Sequence, residues 1–258
     1  LAIVFAFVCS THPAGTALAQ DDDDVAYKPT YFDDETMLLE RESFDRMTLD
    51  EENKHFKADI QTITSVTRPR IKESDRKGKL QFRFLHDDAF LYEVEWAHIA
   101  KVELFENMLF AEAQRLVAEA KTLNPKTEFL KVEGVLDNAY RYLSRMQTEY
   151  PKHPGLESAV DAFLFQDAGT LYSAGKFAES LSVMEQLYER NPGYNSGKLP
   201  IAMGKLVDEI VPDYVRKQDF RSARIVLDRL AEKYGQSQPT TINKWRKGLD
   251  SLAGRKLT

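Results

Sequence analysis

The chain has 258 residues, 43% hydrophobic and 29% charged, the make-up of a globular protein with a full apolar core. Its formal net charge of −6 gives no electrostatic drive toward nucleic acid, and a single cysteine, Cys9, excludes a disulfide framework or a cage of thiolates within one chain. Acids crowd residues 20–60 and bases crowd residues 215–258, which reads as solvated faces or, at its sharpest, as a docking surface for an acidic partner.

Residues 1–19 pattern as a secretory signal. An apolar run from Leu1 to Val8 leads into small residues and ends in Ala17-Leu18-Ala19, an A-x-A cleavage site, although a basic segment before the run is missing. Cleavage after Ala19 removes Cys9 and leaves a mature chain without cysteine, destined for a periplasm or the cell exterior. Lipidation of Cys9 is the weaker reading, because Phe7 and Val8 put bulk where a lipobox wants small residues. No later segment is apolar enough to predict a membrane span. Residues 20–42, "QDDDDVAYKPTYFDDE" onward, have no period and read as an acidic flexible leader.

Residues 43–96 predict a small antiparallel β region. Phe56, Ala58 and Ile60 alternate with Lys57, Asp59 and Gln61. Leu80, Phe82 and Phe84 alternate with Gln81 and Arg83, and Tyr92, Val94 and Trp96 with Glu93 and Glu95. His86-Asp87-Asp88-Ala89 suits a hairpin turn, and "TSVTRPRIKESDRKG" a polar loop. From Ala97 the period changes to that of a helix, with Val102, Phe105, Leu109, Ala113, Leu116 and Ala120 on one face. Residues 97–258 are therefore expected to be helical, broken at "NPKTE", "PKHPG", "NPGYNSGKLP" and "GQSQP".

Three of the expected helices repeat. Segments from Leu136, Phe177 and Phe220 place a small residue three positions on (Ala139, Ser180, Ala223). Leu143, Met184 and Leu227 come next, then Met146, Leu187 and Leu230, and each segment ends at Pro or Gly. Fixed-register recurrence of this kind is the mark of stacked helical hairpins, and the small residues let paired helices approach. Gly175 supplies the turn before Phe177. Leu164, Ala168 and Leu171 precede it, matched later by Val207, Val211 and Tyr214.

This pattern resembles the tetratricopeptide repeat, with longer spacing, an apparent insertion at "TLNPKTEFLKVEG", and Asp167 where an apolar residue is expected. The resemblance implies an α-solenoid preceded by the small sheet. The Tyr92–Trp96 strand, "KVELFENML" and the divergent hairpins are also similar to N-terminal regions of some planctomycete proteins, some of which continue into extracellular solute-binding domains. Ile242, Trp245, Leu249 and Leu252 form a last stripe, expected to be half of a further hairpin with one side uncovered and prone to weak self-association.

Chemical motifs are sparse. "SAGK" and "SDRK" match S-x-x-K without its companion motifs, and "GYNSGKL" falls short of a phosphate loop in spacing and in its final hydroxyl. His98 falls on the apolar face of the first expected helix, where no second ligand shares its side, so no metal or cofactor site is expected. The residues predict a non-enzymatic, exported scaffold for a protein or peptide partner. Gln166, Tyr172, Lys205, Asp208 and Tyr214 are its candidate contacts. The alternative is an accessory module of an exported solute-binding or transport protein whose ligand domain lies beyond residue 258.

Overall fold

The computed structural model describes residues 32–33, 35–87, 89–234 and 239–255. The expected signal and cleavage site, Cys9 and most of the leader lie outside these residues, as does Asp88 of the expected hairpin turn. The chain forms two compact units, Leu1–Met108 and Leu109–Thr258.

Among the described residues the first unit has five strands: β1 (Phe44–Leu49), β2 (Lys57–Gln61), β3 (Lys79–Phe82), β4 (Tyr92–Glu95) and β5 (Ile99–Leu104). They make an antiparallel sheet in the order β2-β1-β5 and a β3-β4 hairpin. The hairpin is tied to β2 where Gln61 N donates to Arg83 O and Leu85 N to Asp59 O. Met47, Ala58, Ile60, Leu80 and Leu104 form its dry centre, and the rings of Phe82 and Phe84 meet edge to face with centroids 5.3 Å apart.

Two expectations are corrected here. The first concerns alternation in β2: Phe56 is exposed, whereas Ala58, Asp59 and Ile60 are all buried. Asp59 is inside because two arginines meet it there, which a hydropathy pattern does not register. The second concerns the helix start. Ile99–Leu104 is a strand, and Trp96–His98 is a short 3₁₀ turn. The spacing of Val102, Phe105 and Leu109 fits a helix, but β1 has an open edge there, and pairing Met47 with Val102 and Thr48 with Lys101 satisfies both backbones. His98 therefore lies in that 3₁₀ turn and not on the first α-helix.

Beyond β5 the chain is helical: α1 (Phe105–Thr122), α2 (Phe129–Glu149), α3 (Leu156–Ser173), α4 (Phe177–Arg190), the single turn α5 (Tyr194–Gly197), α6 (Leu199–Arg216), α7 (Phe220–Tyr234) and α8 (Pro239–Arg255). The stretch expected as an insertion is partly helical. Its second half forms the first turns of α2, and Val132 joins Leu136, Ala139, Leu143 and Met146 in one buried stripe at steps of four and three. Ala139, Leu143, Met146, Ser180, Met184, Leu187, Ala223, Leu227 and Leu230 are all buried. At the α3–α4 crossing Ser180 Oγ donates to Ala168 O at 2.7 Å, so the small residue also satisfies its own hydroxyl.

The two hairpins α3–α4 and α6–α7 share a turn, repeated at an offset of 43 residues. In the first, Gly175 N donates to Tyr172 O and Lys176 N to Leu171 O. In the second, Gln218 N donates to Val215 O and Asp219 N to Tyr214 O. The pivot residues are both left-handed, Gly175 at φ 78° and Gln218 at φ 60°. On α8, Ile242 and Leu249 are buried and Trp245 and Leu252 half-buried, so the stripe is covered in part within the unit. No helix among the described residues is long and apolar enough to cross a membrane.

Candidate binding groove

A groove of about 370 Å³ opens along α2, α3 and α4. The helical period of α2 brings Phe129, Glu133, Asp137 and Tyr140 to it, at steps of four and three. α3 contributes Phe163, Asp167 and Thr170, and α4 contributes Val183 and Gln186. Tyr140 stacks on the buried Phe163 with centroids 5.9 Å apart, which fixes one aromatic wall.

The other character of the groove is negative. Burial raises the Asp167 carboxyl to about 6, and the charges of Asp137, Glu133 and Glu179 push in the same direction. Among the described residues Asp167 has no hydrogen-bonding or ion-pair partner. Thr170 is 2% exposed, and its Oγ1 also lacks a hydrogen-bond partner. Buried polar atoms are almost always satisfied, so such groups point to a role other than packing. One cation stands at the rim. Lys176 Nζ is 3.5 Å from both Glu133 and Glu179 and 4.3 Å from the centroid of the Phe129 ring.

The residues expected to contact a partner are not gathered here. Gln166 is half-buried, and Tyr172 is exposed with its ring against Phe177. Lys205 and Asp208 are exposed on α6, where Asp208 already accepts from Lys244 Nζ at 3.0 Å and Trp245 Nε1 at 2.7 Å. Tyr214 packs against the apolar core of its unit. The groove's carboxylates were missed as site residues. Their one signal was Asp167, an acid at a position the repeat pattern reserves for an apolar side chain.

Other clusters have plainer roles. Asp50, Glu52 and His98 hold potential metal-ligand atoms within 4.8 Å of one another. Asp50 is already engaged: Oδ1 caps Asn53 N, and Oδ2 lies 3.0 Å from His98 Nδ1. That hydrogen bond raises the His98 pKa, and Asn53 together with His98 lowers that of Asp50. The pair thus ties the turn after β1 to the start of β5. "SAGK" forms the α3–α4 turn. "GYNSGKL" holds Asn195 and Ser196 in left-handed geometry within α5, a bend and not a phosphate cradle. The basic side chains of α7 and α8 are largely spent between helices, as in Arg224–Asp250, Arg229–Glu185, Lys233–Glu189 and Arg246–Asp228.

Searches with family models, against curated proteins and against solved structures found no match to this chain.

Proposed function

We propose that the protein is an exported, non-enzymatic scaffold that holds a protein or peptide partner on stacked, tetratricopeptide-like hairpins. The observation that carries this reading is the recurrence of one hairpin turn at Gly175 and Gln218, each followed by a helix with a buried small residue at the crossing, Ser180 or Ala223. Hairpins that repeat in this way build extended surfaces suited to a chain segment. An open groove beside them, walled by rings and carboxylates, offers such a segment a place. Screening the immobilised chain against a random-peptide display library tests the reading. Enrichment of a sequence class that then binds saturably in solution is the expected result. Failure to enrich anything above the bare support, or turnover of a small-molecule substrate by the purified chain, overturns it. Export is tested separately: N-terminal sequencing of the secreted protein should begin at Gln20, and cytosolic protein retaining residues 1–19 contradicts it.

A further inference from the structure

We propose that the groove along α2, α3 and α4 receives a lysine or arginine side chain of a basic peptide segment, its charge meeting Glu133, Asp137 and Asp167 and its stem lying against Phe129, Tyr140 and Phe163. This rests on the scaffold reading and names the chemistry of the partner.

Four observations converge on it. The wall is acidic on two helices, which repels an anionic ligand. No three of its carboxylates converge: among the described residues only Asp50, Glu52 and His98 bring potential ligand atoms within 4.8 Å. An extended cation therefore suits it better than a bare metal ion, which wants its oxygens close. Among the described residues Asp167 lacks a hydrogen-bonding or ion-pair partner, and the buried Thr170 Oγ1 on the same helix also has none. Finally, the protein already shows this recognition on itself. Lys176 sits at the rim between Glu133 and Glu179 with its ammonium over the Phe129 ring, a cation held by carboxylates and a π face together. Farther along the groove Asp137 and Asp167, with the stacked pair of Tyr140 and Phe163, repeat those ingredients with no cation paired to them among the described residues.

Protonation sets the working range. The charged groups acting on Asp167 are Asp137 and Glu133 from α2 and Glu179 from α4, and Lys176 from the turn before α4 meets Glu133 and Glu179. Burial first, and then the charges of Asp137, Glu133 and Glu179, raise its carboxyl to about 6, so Asp167 is ionised at pH 7.5 and largely protonated at pH 5. An incoming cation favours the ionised form, and binding weakens as pH falls across that range.

The test uses the full chain and two fluorescein-labelled peptides of glycine and serine, one carrying two arginines and the other two citrullines. Fluorescence polarisation at pH 7.5 should show saturable binding of the arginine peptide and at least about tenfold weaker binding of its neutral counterpart, the scale of one desolvated charge pair. Asp167→Asn should weaken the arginine peptide by a similar factor and flatten its pH dependence, while Asp250→Asn on α8 leaves both unchanged. A melting temperature for Asp167→Asn no lower than that of the parent chain excludes unfolding as the cause. Asp137→Asn gives an independent second variant. Equal binding of the two peptides, no binding of either, or equal losses from Asp167→Asn and Asp250→Asn overturns the groove assignment. If the display screen still enriches binders in any of those cases, the scaffold reading stands and only the basic partner falls. If that screen fails as well, both fall.

Discussion

The two units of this chain bury their interiors by different chemistry. In the first, charge is taken inside. Asp45 is 0% exposed and accepts from Ile63 N, from Phe105 N and from both terminal nitrogens of Arg68. Arg68 also grips Glu106 through two contacts. Asp59 lies opposite Arg46 in the β1–β2 register and binds both Arg46 and Arg41, with the Arg41 guanidinium 3.8 Å above the Phe44 ring. The second unit relies mainly on apolar stripes, small residues at helix crossings and surface ion pairs, its buried acids being Asp161, held by Arg190 and Asn191, and Glu185 beside Arg229. In its groove Glu133 meets Lys176 at the rim, while Asp167 has no hydrogen-bonding or ion-pair partner among the described residues. A buried charge that is fully paired specifies structure, and one left unpaired is available for a ligand.

The largest effect expected from breaking this contrast lies in the first unit. Arg68→Ala strands two buried carboxylates, and losing one partner of a buried ion pair destabilises by about 3–5 kcal/mol. Urea melts should show that loss, whereas Arg115→Ala, which removes an exposed pair on α1, should change stability by less than about 1 kcal/mol. Removing the charges together, as Asp45→Asn, Arg68→Met and Glu106→Gln, should recover part of the loss. Equal effects at Arg68 and Arg115 would show that the network is ornamental.

Packing comes next in size. Ala223→Leu overfills the α6–α7 crossing and should cost about 1–3 kcal/mol. Ser180→Leu should match or exceed it, because it also leaves Ala168 O without its hydroxyl donor. Ala178→Leu, on the exposed side of α4, should cost under about 0.5 kcal/mol. Similar losses at 178 and 223 in denaturant melts break the shared register of the hairpins.

The groove should respond in the opposite direction. Asp167 is strained by its surroundings, since its carboxyl is raised from 3.8 to about 6. The sign follows from linkage. The folded state holds the proton more tightly than the unfolded chain. The penalty is therefore absent below pH 3.8, grows between 3.8 and 6, and is complete above 6. Asp167→Asn removes it. After allowance for solvent screening at this half-buried site, the variant should gain about 1–2 kcal/mol at pH 8 and nothing at pH 3.5. Thermal melts across pH check this, and a destabilised variant at pH 8 would mean that the carboxylate has a structural partner.

Much of the second unit was legible because its determinants are local. Steps of three and four, a small residue and a terminal Pro are written within one helix, and the buried stripes of α2, α4 and α7 follow them. The first unit was harder because its determinants are distant in the chain. Nothing near Ile99 says that Met47 will pair with Val102, and nothing near Asp59 says that Arg41 and Arg46 will meet it. The groove falls between these cases. Asp167 could be seen as anomalous, but its relation to Glu133 and Asp137 depends on the packing of α3 on α2. The start of α2 at Phe129 follows directly on the break expected at "NPKTE", although the same stretch also read as an insertion.

The smallest effect separates the two hairpin turns themselves. Both need a left-handed residue, and only one has glycine. A Cβ at Gly175 would meet nothing within 4 Å, so Gly175→Ala changes conformational energy alone. It should destabilise by about 1 kcal/mol, the strain of a side-chain-bearing residue at positive φ less the entropy that glycine loses on folding. Gln218 already carries that strain at φ 60°. Gln218→Gly should therefore stabilise, by about 0.5 kcal/mol, the relief being partly offset by the greater freedom of glycine in the unfolded chain. Differential scanning calorimetry of the two variants gives the comparison. Opposite signs support one turn written twice with different residues. A loss at Gln218→Gly as large as that at Gly175→Ala means that the glutamine side chain holds its hairpin by contacts of its own, and the equivalence of the two turns is then confined to the backbone.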